Sequence, residues 1–370
     1  MRFSVQRQAI LEAFQLVGSI ISSRPMRPIL GCVHILVDDP ARVRLMSSDL
    51  EITIRFDLPL QAGAELGEVV VPASRVASIL REVSTEEVGF ETDETGKLRI
   101  KSGRSSFNLL GENPEEFPEM PEFDGDQAFG LDREKLLLLI RKTLFAVAKE
   151  KSRFAFNGAK LIIEGDTARM VATDGKRLAT KVVAIDNSDN ISAGPIVPAR
   201  ALQVFEKAMT DDDETVRIAL DERQIMVKTT RAEISSRLVD GSFPNYTGVI
   251  PKETSMSVRF RRDDLISAFR QAALLTSQET RSVRFSLEDG RATLSAQALD
   301  AGDAKIELDA PDHKGEPFSI SFNPDFFTEG LKVMDTDEVE IGLSRPNTPA
   351  KILGEEDLVY VVMPVTMRNV

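Results

Sequence analysis

Gly194-Pro195-Ile196-Val197-Pro198-Ala199-Arg200-Ala201-Leu202-Gln203-Val204-Phe205 decides how the rest of the chain is read. A short β-branched run stops at Pro198, and an apolar spacing then sets in at Leu202, Phe205 and Met209. That order spells a strand, a proline at a helix start, and an amphipathic helix. The same order occurs at Val70-Val71-Pro72 ahead of Val76, Ile79 and Leu80, and at Phe322-Asn323-Pro324 ahead of Phe326, Phe327 and Leu331. The prolines stand 126 residues apart (198 − 72 and 324 − 198), and Ile79, Phe205 and Leu331 keep that step. The chain is a threefold tandem repeat.

A second helix opens each repeat. Phe3 to Val5 precede Ile10, Leu11, Phe14 and Val17; Leu131 precedes Leu136, Leu137 and Ile140; Phe260 precedes Leu265, Ile266 and Phe269. Each set falls on one side of a helix. β-Rich runs fill the intervals, at 33–37, 43–46, 52–56, 98–101 and 106–110 in the first repeat and at 161–163, 168–172, 179–185, 215–220, 224–229 and 233–239 in the second. Phe117-Pro118 and Phe243-Pro244 close the first two repeats, and residues 113–126 and 250–255 read as linkers. The expected fold class is α+β, in three similar domains at 1–126, 127–253 and 254–370. Each would carry two helices and several strands, and each is itself open to reading as a duplicated half. Such domains in line leave sheet edges open at both ends, which a second chain would cover. Two chains would then set six domains in a ring with their helices facing one side.

The 370 residues are enough for two or three domains of about 100–150 residues. With no Trp, two Tyr and 20 Phe, the cores must rest on Phe, Leu, Ile and Val. Cys32 is the sole cysteine, so no intrachain disulfide is possible, and a reducing cytoplasm is the expected compartment. The N-terminal residues lack the apolar core of a signal peptide, and no apolar run approaches the roughly 18 residues of a membrane span.

Net charge −13 argues against nucleic acid unless the basic residues are segregated. Helix positions near the proposed inner side carry Arg7, Arg75, Arg81, Arg133, Lys135, Arg141, Lys142, Lys149, Arg200, Lys207, Arg261, Arg262 and Arg270, while acids crowd linkers and turns such as 112–122, 211–214 and 335–340. These cations are equally readable as the solvated faces of ordinary helices.

Two stretches suggest a site. Val171-Ala172-Thr173-Asp174-Gly175-Lys176-Arg177-Leu178 places an Asp-Gly turn between strands, where the first repeat has Ser48-Asp49-Leu50-Glu51 with no glycine and no Lys-Arg pair. A plain hairpin turn is the simpler reading. Val359-Tyr360-Val361-Val362-Met363-Pro364-Val365 reads as a last strand ending at a proline, either a core strand or the border of a groove for apolar peptide side chains.

At these residues the chain resembles the bacterial β sliding clamps, the beta subunits of DNA polymerase III. The resemblance covers its whole length and rests on Arg24-Pro25 with Pro28-Ile29-Leu30, Ser102-Gly103-Arg104-Ser105, Ala172 through Ala179, Leu238-Val239-Asp240-Gly241 with Phe243-Pro244-Asn245-Tyr246, and Tyr360-Val361-Val362-Met363-Pro364. The resemblance implies a DNA clamp fold closing as a head-to-tail homodimer ring around duplex DNA, opened and closed by an ATP-driven clamp loader. It implies a peptide pocket of Arg153, Phe156, Thr173, Gly175, Lys176, Arg177, Leu178, Pro244, Val249, Val361, Val362, Met363 and Pro364. The replicative DNA polymerase, translesion polymerases, mismatch-repair proteins and ligase would dock there through glutamine-led peptides with leucine and phenylalanine. DNA contact would fall to Arg24, Lys149, Arg200 and Arg281, with Lys151 and Phe154 near the same rim. The dimer interface would set Ile79, Phe107 and Leu109 against Leu274 and Leu275, with Arg104 meeting Asp300 or Asp303. Lys176 and Gly248 depart from the family's usual residues, and so does the tail at 366–370.

No Walker loop occurs, and with His34 and His313 as the only histidines, zinc sites and Cys-His catalysis lack ligands. The acidic run 211–213 reads as a solvated turn rather than a divalent-ion site. A non-catalytic protein without cofactor is expected. Enclosure would retain such a ring on DNA, and a tethered polymerase would rebind before escaping. The rival reading is a β-rich scaffold that binds proteins through the same groove and never encloses nucleic acid.

Overall fold

The computed structural model describes residues 1–61, 63–93, 96–125, 128–149, 155–188, 190–277, 281–298 and 301–365. The first repeat runs β1 (Arg2–Gln6), α1 (Arg7–Gly18), β2 (Cys32–Asp39), β3 (Arg42–Ser48), β4 (Ile52–Pro59), β5 (Gly67–Pro72), α2 (Ala73–Glu82), β6 (Glu87–Thr92), β7 (Leu98–Ser102) and β8 (Ser105–Leu109). The second runs β9 (Ala128–Asp132), α3 (Arg133–Thr143), β10 (Gly158–Glu164), β11 (Thr167–Thr173), β12 (Arg177–Ala184), β13 (Ile196–Pro198), α4 (Ala199–Ala208), β14 (Thr215–Leu220), β15 (Gln224–Lys228) and β16 (Ala232–Arg237). The third runs β17 (Met256–Arg261), α5 (Arg262–Ala273), β18 (Val283–Glu288), β19 (Arg291–Ala298), β20 (Gly302–Asp309), β21 (Phe318–Phe322), α6 (Pro324–Lys332), β22 (Glu338–Leu343), β23 (Ala350–Leu353) and β24 (Leu358–Val362).

The three prolines all sit where strand passes into helix. Pro72 and Pro198 end their strands one residue ahead of the helix, whereas Pro324 is itself the first helical residue. The third copy starts earlier because the Asn323 side chain accepts from the Asp325 amide at 2.9 Å and caps the helix. Proline suits either place, since its fixed φ leads into a helix and its missing N–H needs no partner there.

The described residues form two compact units. One spans Met1–Glu134 and Arg200–Leu238, the other Lys135–Ala199 and Val239–Val370. Each therefore takes one whole repeat and half of the middle one.

The first unit holds an eight-stranded antiparallel sheet in the order β5-β2-β3-β4-β16-β15-β14-β9 and a four-stranded sheet β1-β6-β7-β8. Helices α1 and α2 pack together, and α1 lies on β3 and β4. Period-two alternation buries Ile52, Ile54, Phe56 and Leu58 on the helix side of β4. At the middle of the sheet, β4 pairs with β16 through Ile52–Ser236, Ile54–Ile234 and Phe56–Ala232.

The second unit repeats the plan with an eight-stranded sheet β13-β10-β11-β12-β24-β23-β22-β17 and a four-stranded sheet β20-β19-β18-β21. Helices α5 and α6 pack together over a phenylalanine core. Phe269 stacks on Phe327 at 4.3 Å between centroids, and Phe327 meets Phe322 at 4.8 Å, geometries that add to the burial of rings. Here β12 pairs with β24 through Arg177–Val362, Ala179–Tyr360 and Lys181–Leu358. The β12–β24 ladder is the counterpart of β4–β16, since β24 follows β16 at the repeat spacing (358 − 232 = 126).

Candidate functional site

The turns ahead of the two matched ladders are built alike. In the first unit Ser48 Oγ accepts from the Leu50 amide at 3.1 Å, and Asp49 Oδ1 accepts from the amides of Glu51 and Ile52 at 3.0 and 2.7 Å. In the second, Thr173 Oγ1 accepts from the Gly175 amide at 3.1 Å, and Asp174 Oδ1 accepts from those of Lys176 and Arg177 at 2.9 and 3.0 Å. Leu50 and Gly175 occupy the same left-handed position, with φ 75° and 84°. Glycine takes this conformation without strain, whereas Leu50 adopts it at a cost, and a Cβ at Gly175 would stand in ordinary van der Waals contact with the Phe156 ring at 3.4 Å.

Beyond these turns the two ladders differ. On the side of β12–β24 away from α6, Leu178 opposes Val361 and both are buried in a cluster with Val171. Phe243 of the second Phe-Pro landmark, and Tyr246 and Ile250 just after it, pack against that cluster. Beside that cluster opens a cleft of 150 Å³ lined by Phe156, Thr173, Gly175, Arg177, Leu178, Pro244, Asn245, Tyr246, Val249, Val361 and Met363. Its floor is apolar, and Val249 remains 39% exposed at its edge. The corresponding face of β4–β16 pairs Thr53 with Ser235 and Arg55 with Glu233, the last two ion-paired at 2.8 Å.

Behind the cleft lies a buried charge. Arg177, 3% exposed, has Phe326 and Phe145 rings at 4.7 and 5.6 Å from its guanidinium carbon. Its Nε donates to Asp174 at 3.1 Å and its NH1 to Glu329. Burial works to lower the Arg177 pKa, but the Tyr360 oxygen and the Glu329 and Asp174 carboxylates outweigh it and hold the group charged. Burial also raises the Glu329 carboxyl, which Arg177 and then Lys149 bring back below its ordinary value. Tyr360, pushed well up by burial, donates its hydroxyl to the Phe326 carbonyl at 2.7 Å. A Cβ on Gly330 would run into the Tyr360 ring, so α6 sits close against β24.

Of the pocket residues expected from the sequence, Phe156, Thr173, Gly175, Arg177, Leu178, Pro244, Val249, Val361 and Met363 come together around the cleft. Val362 does not: strand alternation turns it to the opposite face, where it is fully buried. Lys176 and Pro364 are also absent from the lining. Lys176 is exposed on the turn, its carbonyl taking the Met363 amide at 2.8 Å, and Pro364 follows the end of β24. Arg153 lies outside the described residues. Asn245 and Tyr246 line the cleft without having been singled out for it, although both stand in the Phe243-Pro244-Asn245-Tyr246 stretch.

Three of the residues expected to meet DNA already have partners. Lys149 reaches Glu329 at 3.1 Å, Arg281 reaches Asp325 at 3.3 Å, and Arg200 is held by Asp49 and the Ile20 carbonyl. Arg24 is exposed in the loop after α1, and Lys151 and Phe154 lie outside the described residues. Lys142, expected on a solvated basic face, is instead 4% exposed and bound to Asp335, Glu355 and the Val333 carbonyl at 2.7, 2.6 and 2.5 Å. The acidic run 211–213 is likewise not simply solvated: Asp213 is 2% exposed and accepts from Thr210 and Thr230.

The residues expected at a dimer interface lie at two sheet edges. Phe107 and Leu109 are half-buried on β8, an edge strand, with Arg104 exposed just before it and Ile79 half-buried on α2. Leu274 is 80% exposed and Leu275 half-buried after α5, and Asp303 is exposed on β20, also an edge strand. Asp300 lies outside the described residues.

Repeats whose sheets fuse across their boundaries into eight-stranded wholes define a three-domain sliding-clamp fold, and known proteins share it. A clamp from Pseudomonas aeruginosa, solved with griselimycin bound, superposes with a TM-score of 0.93 at 31% identity, covering 99% of this chain and 100% of that one. The clamp of Bacillus subtilis gives 0.92 at 27% identity over the whole of both chains. In sequence, the beta sliding clamp of Pseudomonas putida is 32% identical across 99% of this chain and all of its own length. The N-terminal, central and C-terminal domains of the DNA polymerase III beta subunit match residues 1–121, 130–245 and 247–366. The chain belongs to the DNA polymerase III beta-subunit family. It is a sliding clamp, a non-catalytic processivity subunit.

Proposed function

We propose that two copies of this chain close head to tail into a ring around duplex DNA, and that the cleft beside Leu178 and Val361 takes a linear peptide from each protein the ring tethers. The observation that carries the ring is the state of the sheets. Two matched ladders, β4–β16 and β12–β24, each join two four-stranded halves into eight strands, while the two remaining four-stranded sheets keep open edges at β8 and β20. Those edges are complementary halves of a third ladder, which a second copy would supply. An open edge invites pairing, and a repeat of the same joint from each copy to the other closes a symmetric assembly. Phe107, Leu109 and Ile79 would then face Leu274 and Leu275 of the other copy, with Arg104 beside Asp303 or Asp300.

The remaining readings depend on that closure. The domains would run 1–126, 127–253 and 254–370. Arg24, Lys149, Lys151, Arg200 and Arg281 would meet phosphates, and the ion pairs at Lys149, Arg200 and Arg281 favour a loose grip, since a cation already neutralised gains less from DNA. Loose contacts suit a ring retained by enclosure. A clamp loader would open it, and the replicative polymerase, translesion polymerases, mismatch-repair proteins and ligase would share the cleft. A cytoplasmic location fits the lone Cys32, whose thiol burial and Glu112 push up to about 11.

The test is topological. The protein is loaded by a clamp loader onto nicked circular DNA, washed at moderate salt, and the circle is then cut. Retention before and loss after cutting is expected, because cutting changes topology and no local contact. Equal retention on circle and line overturns enclosure and leaves a peptide-binding scaffold.

A further inference from the structure

Glu329 is shared by two cations with different surroundings. Its Oε2 takes NH1 of Arg177, which is 3% exposed and forms a wall of the cleft, and its Oε1 takes Nζ of Lys149 at 3.1 Å. The Lys149 side chain is 77% exposed and free to follow another anion. The carboxylate itself has little freedom to move. It rides on α6, which the Tyr360 hydroxyl holds at the Phe326 carbonyl and which the missing side chain of Gly330 brings against the Tyr360 ring. Arg177 in turn is tied to the shape of the turn, since its carbonyl takes the Thr173 hydroxyl at 2.6 Å and its Nε donates to Asp174. A continuous set of polar contacts thus runs from an exposed ammonium to the rim of the cleft.

We propose that Glu329 is a positioning residue that links phosphate capture at Lys149 to the firmness of the peptide cleft. When a DNA phosphate draws Lys149 away, the carboxylate is left to Arg177 alone. The guanidinium is then held more tightly between Phe145 and Phe326, and the wall it forms is better ordered before a peptide arrives. The coupling is reciprocal, so an occupied cleft also releases Lys149 toward DNA. Because Lys149 is exposed, the effect on peptide affinity is small, roughly two- to fivefold. The proposal rests on reading the cleft as a peptide site and on DNA passing near Lys149.

A glutamine-led peptide containing leucine and phenylalanine is titrated into the full-length protein and its Lys149→Ala, Glu329→Gln and doubly substituted forms. Lys149→Ala is expected to tighten binding roughly two- to fivefold, a gain that loss of a merely structural contact does not give. Glu329→Gln, which keeps the shape and removes the charge, is expected to weaken it by about tenfold, and in that background Lys149→Ala has no further effect. Equal affinity with and without Lys149 in both backgrounds overturns the link. If the unsubstituted protein binds no peptide, the cleft reading fails separately. The link is then judged by methyl resonances of Leu178 and Val361 on adding short duplex DNA. Shifts that vanish in Glu329→Gln support it, and shifts that persist there, or none at all, overturn it.

Discussion

On the helix side of the β4–β16 ladder stand Ile52, Ile54 and Phe56; at the matching places of β12–β24 stand Arg177, Ala179 and Lys181. On the opposite side the content is exchanged. The first ladder carries Thr53–Ser235 and the Arg55–Glu233 ion pair, the second Leu178–Val361 and Thr180–Val359. The register, the turn and the backbone are shared, and the polarity of the two faces is turned over. An apolar inner face needs only a helix to cover it, and α1 does so. A charged inner face needs partners, which α6 and the loop before β24 supply through Glu329 and Glu355. The freed apolar outer face then has to be covered too, and the 243–250 segment covers it incompletely, leaving the cleft. The cleft thus goes with the move of charge to the inside of one joint. One repeat position on the covering helices shows the same exchange (326 − 200 = 126): Arg200 of α4 brings a guanidinium to Asp49, while Phe326 of α6 brings a ring to the guanidinium of Arg177.

The strongest way to break this contrast is to put the second joint's charge into the first. Ile52→Arg is expected to cost about 3–5 kcal/mol, because Asp49, which stands where Asp174 does, is already taken by Arg200, and the place of Glu329 one repeat earlier (329 − 126 = 203) is held by the neutral Gln203. Chemical denaturation followed by circular dichroism reads it. The converse change, Arg177→Met, removes the cation and leaves Glu329 and Asp174 facing each other's charge. Part of Glu329 is solvated, which lowers the expected loss to about 2–3 kcal/mol, with peptide binding impaired alongside.

Acid sharpens the contrast without mutation. The Glu329 and Asp335 carboxyls are held below their ordinary range, Glu329 by Arg177 and Lys149 against the effect of burial, Asp335 chiefly by Lys142. A depressed folded-state pKa contributes stability that is present above the unfolded pKa and lost as pH falls through the folded one. Stability is therefore expected to fall as pH drops below about 4.3, and Glu329→Gln to show a shallower fall over the same window. Denaturation midpoints between about pH 6 and pH 3 measure both slopes. The smallest effect is at Thr180, whose buried hydroxyl has no hydrogen-bond partner among the described residues. Thr180→Val is expected to change stability by less than about 1 kcal/mol, in the stabilising direction, in the same denaturation assay.

Much of this plan was legible in the sequence. The 126-residue step of the prolines gave the threefold repeat, and period-two and helical spacing placed the strands and helices, because those patterns record which face is buried. The difference between Ser48-Asp49-Leu50-Glu51 and Thr173-Asp174-Gly175-Lys176 was visible as an asymmetry. That the two form one and the same turn was not, since side-chain hydrogen bonds from Ser or Thr and from Asp build it without glycine. The burial of Lys142 was equally hidden, because its partners Asp335 and Glu355 come from far along the chain. Val362, which the family resemblance puts at the cleft, faces the other side of β24, and an apolar run of a doubly buried strand does not say which residues face which side. Tyr246 and Asn245 reach the cleft by the path of the irregular connection between β16 and β17, which no periodicity records.

The second joint leaves an apolar cleft open, so it, and not its counterpart, is expected to receive a partner. The most direct measurement is a methyl NMR titration with a glutamine-led leucine- and phenylalanine-containing peptide, following Leu178, Val249 and Val361 beside Leu50, Ile54 and Ile234. Saturable shifts confined to the first three are the expected result. Shifts of comparable size at Leu50, Ile54 and Ile234, or none at the cleft, would show that the second joint is not a specific docking site.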